Sequence, residues 1–73
     1  MAHEIDAKGL RCPRPIIELA KAKRTLPAGE EIHIIADDPA FDSDVRAWCE
    51  TTGCTIISLE KEGNIVTATI TLK

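Results

Sequence analysis

Between Ile65 and Leu72 apolar and polar residues alternate without a break. Val66, Ala68, Ile70 and Leu72 share one side and Thr67, Thr69 and Thr71 the other, which predicts a strand with one face turned to a core. Glu31 to Ala36, rich in isoleucine, and Cys54 to Glu60 predict two more strands, and the short run His3 to Ala7 predicts a first one. Lys61 to Asn64, containing Gly63, separates the last two as a hairpin turn. Two stretches carry helical spacing instead. Phe41, Val45, Trp48, Cys49 and Thr52 recur at i, i+4, i+7, i+8 and i+11, the inward face of a helix over about Phe41–Thr52 with Gly53 as its stop. Over Ile16 to Leu26 the apolar positions are Ile16, Leu19, Ala20 and Leu26. Lys23 falls inside that stripe and must snorkel its ammonium to water, and Pro27, Ala28 and Gly29 end the helix.

The order is therefore βαβαββ. Strand, helix and strand in succession imply a right-handed crossover between parallel strands. Two amphipathic helices and four strands are best satisfied by an α/β two-layer sandwich, a four-stranded mixed sheet with both helices on one face. The other sheet face, carrying threonines and charges, is left for solvent or a partner. Seventy-three residues make a single domain, 1–73, without internal repeat or linker. A domain of that size buries only about 60% of its unfolded surface, so modest stability is expected. With 44% hydrophobic and 29% charged residues and no stretch resembling a signal peptide or membrane span, the chain reads as a soluble cytoplasmic protein with no membrane association. Three cysteines, an odd number, then argue for reduced thiols rather than a disulfide scaffold.

One of those thiols stands where the first helix begins, in Cys12-Pro13-Arg14-Pro15. Prolines cost no hydrogen bond in a first helical turn, so Pro13 and Pro15 fit its first and third positions with Cys12 as the N-cap. The Arg14 and Ile16 amides are then expected to point back at the sulfur, and with Arg11 and Arg14 beside it the thiolate is favoured, at a pKa lowered from about 8.5. Cys12 is thus the candidate nucleophile, with Arg11, Pro13, Arg14, Pro15 and Ile16 holding its anion. It has no CxxC partner, so whatever it carries must be exchanged with another molecule. The competing reading is a rigid strand-to-helix turn around a small buried thiol.

Charge supports a localised site. Residues 1–26 hold six Lys/Arg against three acids, while residues 27–73 hold three against nine. The basic part surrounds Cys12 and suits an anionic substrate or acidic partner, although Lys21, Lys23 and Arg24 read equally well as a solvated helix face. Direct DNA binding is not expected of an acidic domain without a recognition-helix pattern. Cys49 lies on the inward stripe of the second helix, as a small hydrophobe would. Its offset from Cys54 matches no zinc spacing, and His3 and His33 are distant, so neither metal nor other cofactor is expected. Asp37 and Asp38 before Pro39 read as turn and capping residues rather than paired catalytic carboxylates.

Asp6-Ala7-Lys8-Gly9-Leu10-Arg11-Cys12-Pro13-Arg14-Pro15, Pro27-Ala28-Gly29-Glu30, Ile35-Ala36-Asp37-Asp38-Pro39 and Trp48-Cys49 before Thr52-Gly53 together resemble the TusA/SirA-like sulfur-carrier family with its CPxP motif, over nearly the full length. The resemblance implies a βαβαββ sandwich and makes Cys12 the residue that accepts sulfane sulfur as a persulfide. It implies a persulfide donor protein, a cysteine desulfurase or a rhodanese, and a DsrE-like or other sulfur-acceptor protein. In that family the sulfur serves tRNA 2-thiouridine formation, molybdenum-cofactor assembly or sulfur oxidation. Arg14 stands where an acidic residue is common in the tRNA-thiolation branch, and Cys54 where histidine is frequent, so the branch stays open. The alternative from another class is a non-catalytic regulatory or RNA-associated binding module, in which Cys12 is only structural.

Overall fold

The computed structural model describes residues 2–73. Its elements are β1 (Ala2–Ala7), α1 (Arg14–Thr25), β2 (Glu31–Ala36), α2 (Phe41–Thr52), β3 (Thr55–Glu62) and β4 (Ile65–Thr71), in the predicted βαβαββ order. They form one four-stranded mixed sheet ordered β1-β2-β4-β3. β1 and β2 are parallel, joined through α1, and β4 runs antiparallel to both β2 and β3. The α2 crossover carries the chain past the β4 position to the far edge, and the hairpin returns β4 into the centre.

Alternation decides which side of the sheet is covered. Ile32, Ile34 and Ala36 of β2 and Val66, Ala68 and Ile70 of β4 are buried beneath the helices, while Glu31, His33, Ile35, Thr67 and Thr69 line the open face. From above, α2 contributes Phe41, Val45 and Cys49 to the same core. Trp48, expected wholly inward, only packs against the core edge. Of the expected α1 stripe, Leu19 is buried, Ile16 and Leu26 pack half-buried against the core and Ala20 is half-buried, while Pro15 and Ala22 join Leu19 as the fully packed positions. The helix begins at Arg14, one residue after the expected first helical position Pro13, and its first turn joins the core through Pro15.

Turn chemistry fixes the remaining geometry. Gly53 closes α2 at φ 80°, its N–H reaching the Cys49 carbonyl at 2.9 Å, in the left-handed conformation that favours glycine. The hairpin turn is tighter than expected: β3 continues through Glu62, and Gly63, at φ 61°, takes the first position of a two-residue connection. β3 also bulges between Ile56 and Ser58, which leaves Ile57 exposed. Because β1 and β2 are parallel neighbours, the segments leaving their C-terminal ends, residues 8–13 and 37–40, come together at one edge of the sheet.

Candidate functional site

At that edge the first loop is built on the second. Asp37 Oδ1 accepts the Gly9 N–H at 2.9 Å and the Arg11 guanidinium at 3.0 Å. Those two donors, the Gly9 amide first, hold its carboxyl below the usual carboxylate range. Asp38 is buried, with one oxygen accepting the Cys12 N–H at 2.9 Å and the other the Ala40 N–H at 3.3 Å. It is thus a turn residue for its own loop and at the same time the anchor of the cysteine backbone across 26 residues of sequence.

The predicted cap geometry is corrected here. Pro13, not Cys12, is the N-cap of α1, and no side chain caps the helix. The Cys12–Pro13 peptide bond is cis. The Arg14 N–H closes a turn onto the Arg11 carbonyl at 2.8 Å, and the Ile16 N–H bonds the Pro13 carbonyl at 3.1 Å, so neither amide is given to the sulfur. Arg11 is engaged by Asp37, Arg14 is exposed, and Pro15 is buried in the core.

What faces Cys12 instead is negative. One oxygen each of Asp38 and Asp44 and the Cys12 sulfur lie within 4.8 Å of one another. The thiol is raised above its ordinary value, first by a hydrogen bond to Asp44, then by desolvation and by the charges of Asp44 and Asp38. The lowered pKa expected from helix amides is therefore reversed, because the dipole's orphan N–H groups are satisfied by backbone while two carboxylates approach from the other loop and helix. These three residues are also the set among those described whose donor atoms lie close enough to share a cation, although both Asp38 oxygens already accept backbone amides.

Cys12 is exposed on a shallow open groove of about 330 Å³ between α1 and α2. Pro13 and Ile16 form one bank; Ala47, Trp48 and Thr51 form the other, with Asp44 beside the thiol. Cys49 and Cys54 are free and buried away from it. Burial, and secondarily the neighbouring Cys54, pushes the Cys49 thiol up to about 11, so it stays protonated and inert at neutral pH. His33 stands on the open sheet face, its Nε2 at 2.8 Å from Glu31 and its Nδ1 at 3.9 Å from Glu4. The hollow of about 420 Å³ beside it is lined by Glu4, Asp6, Lys8 and Thr67 and holds no cysteine.

Asp44 is the site residue that sequence reasoning missed. It lies on the polar side of α2 beside Asp42 and Ser43, and nothing in its spacing separates it from a solvated acid.

The sequence model of the family described as Sulfurtransferase TusA matches residues 3–72. Among solved structures, the SirA-like protein from Desulfitobacterium hafniense superposes with a TM-score of 0.81 at 30% sequence identity, the match covering 97% of this chain and 96% of that one.

Proposed function

Since this chain belongs to the TusA sulfurtransferase family, we propose that it is a sulfur carrier that takes up sulfane sulfur as a Cys12 persulfide and passes it to an acceptor protein. The Cys12 sulfur attacks the terminal sulfur of a donor persulfide, a new S–S bond forms on Cys12, and the donor cysteine leaves with the electron pair of the broken bond. An acceptor thiolate then removes that terminal sulfur, regenerating Cys12. No electron is gained or lost overall.

The observation that carries this reading is the contrast among the three thiols: Cys12 is exposed on a groove rim, while Cys49 and Cys54 are buried. A raised thiol pKa does not oppose it, because intrinsic nucleophilicity rises with pKa, and a docked partner replaces the surroundings that the free protein presents. Within this proposal Arg11 fixes the loop through Asp37, Pro13 and Ile16 shape the groove, Pro15 seats the helix, and the exposed Arg14 meets the incoming partner. The donor is a cysteine desulfurase or rhodanese and the acceptor a DsrE-like or similar protein, in a cytoplasmic relay such as that for tRNA 2-thiouridine. Among the described residues no helix is long and apolar enough to cross a membrane.

Incubation with a cysteine desulfurase and cysteine, or with a rhodanese and thiosulfate, is expected to add the mass of one sulfur atom to Cys12. Cys12→Ser abolishes the addition, and Cys49→Ala retains it. Unchanged loading of the serine variant would overturn the proposal.

A further inference from the structure

The two carboxylates beside Cys12 are not equivalent. Both oxygens of Asp38 are committed to the Cys12 and Ala40 amides, and the residue is buried. Asp44 is only half-buried, on the groove wall, and no ion pair among the described residues engages it. Two neighbouring cations are already committed, Arg11 to Asp37 and Arg46 to Asp42 at 2.8 Å, and Arg14 is exposed at the start of α1. The thiol therefore shares its groove with one negative charge that lacks a counter-ion, flanked by the apolar Ile16, Ala47 and Trp48. A cation entering such a groove is drawn to Asp44, and its arrival weakens the field that favours S–H over S⁻.

We propose that Asp44 holds the proton of unloaded Cys12 and makes the site selective for partners that bring an ammonium or guanidinium group into the groove beside the thiol, an inference that rests on reading Cys12 as the sulfur-carrying residue. Asp44 acts through Cys12 and is a positioning residue. In the resting protein the carboxylate accepts the S–H, and the thiol is sluggish toward neutral and anionic electrophiles. When a partner's cation pairs with Asp44, Cys12 gives its proton to water and attacks. In exchange with a disulfide R–S–S–R the bond from Cys12 to one sulfur forms, the S–S bond breaks, and the other sulfur leaves with the electron pair and takes up a proton, so the step is balanced without any outside oxidant or reductant.

Small disulfides test this on the intact chain without any sulfur donor. The rate of Cys12 with cystamine, whose arms end in ammonium groups, is compared with that of neutral 2-hydroxyethyl disulfide, in the wild type and in Asp44→Asn, alongside the pH profile of alkylation by iodoacetamide. The wild type is expected to prefer cystamine, and Asp44→Asn to lose that preference. Its alkylation at neutral pH should rise severalfold, because a larger fraction of the thiol is ionised once the facing charge is removed. Asp44→Glu restores both behaviours at least in part, and Asp44→Ser repeats the loss should the asparagine variant fold poorly by circular dichroism. An undiminished cystamine preference in the folded neutral variants, or a pH profile that does not move, overturns the proposal. Because these probes read the thiol itself, their failure is separate from the failure of sulfur loading in the Cys12→Ser comparison.

Discussion

At the scale of single residues, Asp38 connects stability to the site. Its two oxygens satisfy two backbone amides, one in its own turn and one belonging to Cys12, within a buried position. Removing the side chain strands both donors, and leaving a buried donor unpaired costs about 1–3 kcal/mol. Asp38→Ala is accordingly expected to lower stability by that order in urea titration, and to loosen the cysteine loop as read by faster hydrogen exchange at Cys12. Asp37 works at greater exposure and through pH. Its carboxyl is held below the ordinary range, so its contribution is fully present above about pH 4 and is lost as pH falls below that through its lowered value. The Gly9 amide is expected to gain exchange rate in that acid window, relative to Asp37→Asn, in which the change is absent.

At the scale of elements, α2 is the more legible helix and its end the most constrained. Gly53 sits at φ 80°, where an added Cβ also meets the Lys73 side chain at 2.8 Å. The lysine tail can swing aside, so the backbone conformation dominates, and Gly53→Ala should cost about 1–2 kcal/mol. A thermal melt reads that loss, and since the cap lies at the opposite end of α2 from Asp44, Cys12 alkylation in the folded variant is expected to stay at the wild-type rate. α1 was harder to read. Its proline-rich start leaves the choice of cap to neighbours outside the helix, and the Arg14 amide took the Arg11 carbonyl instead of a side chain. Its fully buried positions are Pro15, Leu19 and Ala22, with Ile16 and Leu26 at the core's edge. Likewise the bulge at Ile57 breaks β3's alternation, which a pattern rule treats as noise.

At the scale of the whole molecule, both helices share one core with the sheet, and Phe41 is its largest fully buried side chain. In a domain this small a single cavity removes much of the stability. Phe41→Ala is expected to lose about 3–5 kcal/mol, enough to unfold most of the population near physiological temperature, with circular dichroism as the check. The same core keeps Cys49 and Cys54 out of reach. Thiol counting with a maleimide should therefore find one reactive cysteine in the native chain and three only after denaturation.

The chain's periodicities determined the element order and the layer arrangement, because hydrophobic spacing and turn residues act over a few positions and leave their mark in local sequence. The electrostatic setting of Cys12 was decided only by the tertiary structure. Helix amides next to Cys12 promised a thiolate. Folding satisfied those amides locally and brought Asp38 and Asp44 from a distant loop and helix to within 4.8 Å of the sulfur and of each other. Coulomb interactions act through space, so the charges that govern this thiol come from residues that the linear spacing of the chain does not mark.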